Sequence, residues 1–227
     1  MKRLFGDASN QYLCHKYDVM KRSYACPASV LQIVLLMGLL LAACSSQPQL
    51  PKLSAGSTIL AFGDSLTYGS GAGRDESYPA ILSQLTEFEV INAGVPGEVT
   101  SQGVKRLPGL LDEHLPQLMI LCHGGNDLLR KQDMNLTAEN LRSMIRMAQE
   151  RGVSVLMLAV PKPGVFMDPP LFYEEIASEM KVPIALETVP DILSERSLKS
   201  DTIHPNSDGY RLMAEEIFRL MKNVGAL

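Results

Sequence analysis

From Thr58 onward the chain alternates short apolar runs with amphipathic helical patterns, and that alternation leaves few folds open. The strand-like runs are residues 58–62, 88–92, 117–122, 153–160 and 182–185, and helical periodicity covers residues 78–85, 100–113, 137–151 and 207–222. The third helix is the plainest. Leu141, Met144, Ile145 and Ala148 recur at the three-and-four spacing that shares one face, Thr137 stands where a cap is expected, and Gly152 stands where the helix should stop. In the last helix Tyr210, Met213, Ala214, Ile217 and Phe218 form the apolar face. Repeated strand, helix, strand means parallel strands joined by right-handed crossovers. The expected architecture is therefore α/β, a three-layer α/β/α sandwich around a central parallel, flavodoxin-like sheet of about five strands. In that strand order a ligand crevice opens beyond the carboxyl ends of the first and third strands.

Four polar motifs fall at the carboxyl ends of the first three strands or in the matching late loop. They are Gly63-Asp64-Ser65-Leu66, Asn92-Ala93-Gly94-Val95-Pro96-Gly97, Gly124-Gly125-Asn126-Asp127 and Asp201-Thr202-Ile203-His204-Pro205. Together they hold what acyl transfer requires. A serine hydroxyl becomes a useful nucleophile only when a base takes its proton, and a histidine held in one tautomer by a carboxylate suits that task. Ser65, His204 and Asp201 are the candidates. The oxygen that becomes negative needs fixed donors, for which the backbone N–H groups of Ser65 and Gly94 and the Asn126 amide are available.

Ser65, Gly94, Asn126 and His204, in that order, resemble the four positions that define the SGNH/GDSL hydrolases. The resemblance spans residues 58–227, and the contexts FGDSLTYG, RLPGLL, GGNDLLR and DTIHPNSDGY are most similar to the thioesterase-I, lysophospholipase and arylesterase branch. It implies a Ser–His–Asp triad, hydrolysis of acyl esters or thioesters through an acyl-enzyme, and no metal or cofactor. A fixed tetrapeptide such as GDSL arises by chance in about one chain of this length in a thousand. The companion motifs in order make coincidence a poor rival.

The remaining residues are read more plainly. Asp64 and Asp127 are expected to bind backbone, Cys122 to be a buried and inert thiol, and His114 to sit at a helix end. His123 abuts GGND but lacks the D-x-x-H arrangement of His204. The loop Pro161-Lys162-Pro163-Gly164-Val165-Phe166 and the following Pro-rich stretch depart from the branch, and are expected to wall an acyl pocket in which Phe166 and Leu171 set chain length. No G-x-S-x-G elbow, H-E-x-x-H, Walker or dinucleotide fingerprint is present, and Ser178-Glu179-Met180-Lys181 lacks the companions of an S-x-x-K enzyme.

Residues 1–43 read as an export signal: Lys21 and Arg22, then an apolar run from Val30 to Ala43. Leu41-Ala42-Ala43-Cys44 resembles a bacterial lipobox, which implies acylation of Cys44 and a membrane partner reached through that anchor. Residues 44–57 are read as the lipidated cysteine and a tether, and Met20 as the true start. Ser45 and Ser46 point to the outer membrane, facing the periplasm. A net charge of −4 without a basic tract excludes nucleic acid as a partner, leaving a small-molecule or lipid acyl ester as substrate. Two other readings are open at this stage: carbohydrate O-deacetylation, weakened by the absence of Trp, and a non-catalytic envelope lipoprotein.

Overall fold

Each apolar run becomes a strand, and all five strands join one parallel sheet. A computed structural model describes residues 47–164 and 167–227. In chain order the strands are β1 (Thr58–Gly63), β2 (Glu89–Gly94), β3 (Leu118–Cys122), β4 (Ser154–Leu158) and β5 (Ile184–Ala185). Between and after them run α1 (Ser65–Tyr68), α2 (Tyr78–Thr86), α3 (Thr100–His114), α4 (Gly125–Leu129), α5 (Met134–Gln149), α6 (Phe172–Met180), α7 (Thr188–Ser194) and α8 (Ser207–Asn223). The strand order is β2-β1-β3-β4-β5, the flavodoxin-like order. Its switch point lies between β1 and β3, as expected.

Burial explains the order. Every residue of β3 is buried, which suits an uninterrupted apolar run covered by helices on both faces. In β2, at the edge, no residue is fully buried. On one side α2 packs on α8, with α7 beside it; α3, α5 and α6 pack together in a second layer. The far edge is β5, only two residues long. The side chain of Gln47 serves it as a partner strand would: its amide nitrogen donates to the Ile184 carbonyl (3.1 Å) and its carbonyl accepts the Ile184 N–H (3.0 Å).

Three differences from the sequence reading have physical causes. Helix α5 starts at Met134 because Asp133 accepts the Asn135 N–H; Thr137 is buried inside the helix instead, donating to the Asp133 carbonyl. Gly152 does stop that helix, with φ of 73°. Helices α1, α4 and α7 are too short to show a period, and the expected helices include neither these three nor the nine-residue α6. Finally, the stretch read as a tether is bound to the domain from Gln47 on: Leu50 N–H donates to Val224 and Leu53 N–H to Ala226 at the chain's end, and Leu53 is buried.

At the carboxyl end of β1 the backbone is crowded. A Cβ on Gly63 would lie 2.1 Å from the Cys122 carbonyl oxygen and 2.3 Å from Thr67 Oγ1. Gly109, exposed in α3, would meet nothing within 4 Å. Gly63→Ala should therefore lower the unfolding free energy by about 2 kcal/mol or more. Gly109→Ala should raise it by about 0.5–1 kcal/mol, and urea unfolding of the two variants checks both.

Candidate active site

Ser65 opens the four-residue α1 directly beyond β1 and is only partly buried. Asp201 and His204 arrive from the loop before α8. His204 Nε2 lies 3.0 Å from Ser65 Oγ, and His204 Nδ1 lies 2.8 Å from Asp201 Oδ2. The other Asp201 oxygen accepts the N–H groups of Ile203 and His204, both at 2.8 Å, so the carboxylate is pinned by its own loop. Burial acts to raise the Asp201 carboxyl, but the His204 ring and these two amides outweigh it and hold it below the usual carboxylate range. A carboxylate on Nδ1 puts the ring proton there and leaves Nε2 bare to accept from the serine.

Asp64, 1% exposed, does more than bind backbone. One oxygen accepts the Leu66 N–H (3.1 Å), and the other accepts from the Asn126 amide nitrogen (3.2 Å). Burial raises its carboxyl, against these two hydrogen bonds. The contact also decides which way the Asn126 amide points, since only its nitrogen can face a carboxylate. One N–H of Asn126 is left for the cleft.

Gly94 is placed differently from expectation. Its N–H donates to Asn92 Oδ1 at 3.0 Å, and it does not line the cavity around Ser65. It is a glycine for packing, because a Cβ there would lie 2.1 Å from the Tyr68 backbone nitrogen. Three residues on, Gly97 has φ of 77°, and its N–H makes no hydrogen bond among the described residues. The Ser65 N–H is likewise unpartnered there. Neither glycine lines the cavity, but only Gly97 keeps an uncommitted N–H among the described residues, which makes it the candidate for the second backbone donor in the loop where the sequence reading chose Gly94.

His123 turns away from the cleft. It is fully buried, accepts the Gly124 N–H on Nδ1 (2.9 Å), and meets Glu98 Oε2 through Nε2 (3.1 Å). Glu98 and its partner Arg106 went unnoticed in sequence, although RLPGLL contains the arginine. Asp127, expected to hold a loop, accepts from the N–H (2.9 Å) and hydroxyl (2.6 Å) of Thr100. Cys122 is buried, and burial pushes its thiol well up. Among the described residues no three His, Cys, Asp or Glu side chains form a metal-holding group.

A cavity of about 450 Å³ opens over Ser65 and His204, a size within the range of small-ligand sites. Its apolar wall includes Leu129, Val160, Met167, Leu193 and Ile203. Pro161, Pro163 and Gly164 contribute from the loop after β4, as expected. Leu171 does not: it is 75% exposed at the start of α6. Phe166 and Cys44 lie outside the described residues.

Residues 61–212 match the GDSL-like Lipase/Acylhydrolase family. The chain is 29% identical over 197 residues to Esterase TesA of Pseudomonas aeruginosa, covering 81% of this chain and 97% of that one. It is 28% identical over 172 residues to Thioesterase 1/protease 1/lysophospholipase L1 of Escherichia coli, covering 72% and 83%. A crystal structure of TesA superposes with a TM-score of 0.68 at 26% identity, over 74% of this chain and 99% of that one. With the fold, the motifs and the match across its length in agreement, the chain belongs to the GDSL-like lipase/acylhydrolase family and is a carboxylic ester hydrolase of the serine esterase type.

Proposed function

We propose that the enzyme hydrolyses medium-chain acyl esters or thioesters through an acyl-enzyme on Ser65. The observation that carries this reading is a serine hydroxyl 3.0 Å from a carboxylate-held imidazole, opening into an apolar cavity. His204 Nε2 takes the Ser65 proton as Oγ adds to the ester carbonyl. The oxyanion is met by the N–H groups of Ser65 and Gly97 and by the free N–H of Asn126, each such donor lowering the barrier by about 3–4 kcal/mol. His204 then gives its proton to the departing oxygen or sulfur. Water repeats the sequence to release the acid. The acyl chain lies along Leu129, Val160, Met167 and Leu193, a wall that suits hydrocarbon better than a sugar face.

The same proposal sets the enzyme in the cell envelope, facing the periplasm and carried by acyl chains on Cys44. Support comes from Leu41-Ala42-Ala43-Cys44 and the apolar run before it. Cys44→Ser should move the protein from the detergent-rich to the aqueous phase on Triton X-114 partition; an unchanged partition would refute the anchor.

A fluorophosphonate should label Ser65 alone, by mass spectrometry of the adduct, and His204→Ala should abolish labelling. An adduct on another residue would overturn the assignment. Each buried methylene contributes about 0.8 kcal/mol, so octanoyl esters should outrun butyryl esters in kcat/KM. Met167→Trp should cut that octanoyl-to-butyryl ratio by about tenfold or more, while Leu171→Ala leaves it unchanged. An unchanged ratio in Met167→Trp would exclude the cavity as the acyl site.

A further inference from the structure

Behind the cleft, Glu98, Arg106 and His123 form a charged cluster that lines no part of the cavity. Glu98 is 6% exposed and His123 is wholly buried. Arg106 grips Glu98 with a fork, Nε to Oε1 and Nη2 to Oε2, each at 2.7 Å. Nη2 also donates to the carbonyls of Ala93 (2.8 Å) and Gly63 (3.1 Å), and the guanidinium carbon sits 4.2 Å above the Phe62 ring centroid. His123 Nδ1 accepts the Gly124 N–H, so the ring proton is on Nε2 and points at Glu98. Burial acts to raise the Glu98 carboxyl, but hydrogen bonds from His123 and Arg106 hold it below its ordinary value.

Such a cluster is expensive to desolvate, and apolar side chains of similar volume would stabilise the fold as well. Its connections say what it is for. Gly63 precedes Ser65 by two residues, Glu98 follows Gly97 directly, and His123 precedes Asn126 by three. These are the three segments that bring the three donors, and each comes from a different strand end. Room is made for the cluster at a cost elsewhere: a Cβ on Gly103, within α3, would lie 2.7 Å from His123 Nε2.

We propose that Glu98, Arg106 and His123 are positioning residues, a brace that holds the N–H groups of Ser65, Gly97 and Asn126 at the spacing the oxyanion requires. The inference rests on the donor assignment above. Arg106→Lys cannot reproduce the fork and the two carbonyl contacts together, and Glu98→Gln keeps the shape while removing the charge. The test measures steady-state kinetics on an octanoyl ester, the Ki of an alkylboronic acid that forms a tetrahedral adduct with Ser65, and the melting temperature. Displacing donors without deleting them should lower kcat about 10- to 100-fold, with KM within about twofold and the pH–rate profile unchanged in shape. The boronate Ki should rise by the same factor as kcat falls. Glu98→Gln keeps the test decisive if Arg106→Lys does not fold. Native kcat and Ki with a lowered melting temperature would overturn the proposal, as would a loss confined to KM. Asn126→Ala is assayed alongside: full kcat there would remove the donor assignment and the brace with it, whereas a loss there beside native-like brace variants would sink the brace alone.

Discussion

Everything in the site depends on how closely β1 and β3 run at their carboxyl ends. Gly63 and Cys122 are paired in register, and the Cys122 carbonyl occupies the space a Gly63 side chain would need. Parallel pairing sends both chains out of the sheet on the same edge, and the switch in strand order sends them to opposite sides of one crevice. Ser65 and Asn126 therefore face each other across a gap set by backbone hydrogen bonds, which are stiffer than any side-chain contact. The loop carrying Asp201 and His204 then needs to meet only one fixed point.

Carboxylates around that point divide into two environments. Asp201 is half-exposed and held by its own loop, so it can keep its charge without help from the interior. Asp64 is enclosed, and burial works against its charge. One carboxylate orients the base and the other orients an amide.

Much of this was legible in the amino-acid sequence, for reasons of distance along the chain. Asp201 and His204 are three residues apart, so their pairing is a local property of one loop. The strands declared themselves because parallel strands buried on both faces are continuous apolar runs. Apart from α6, what escaped was either too short to have a period, as with α1, or joined across distance. Glu98 meets His123 over 25 residues, Arg106 reaches Gly63 over 43, and Gln47 closes the sheet edge over 137. The expectation for Gly94 meets a finer obstacle: the glycine was visible, but whether its N–H is free depends on Asn92, whose side chain takes it.

Gly103 marks a consequence for how such a chain can change. A glycine inside a helix costs about 1 kcal/mol against alanine, yet alanine is barred here by the imidazole ring of His123. Positions 103 and 123 are therefore coupled. Substituting position 103 first forces the ring off Glu98, and substituting position 123 first leaves a void and takes away one of the two donors to Glu98 Oε2. A lineage can leave this arrangement only by passing through a poorer intermediate or by changing both at once, so the pair should travel together wherever it occurs.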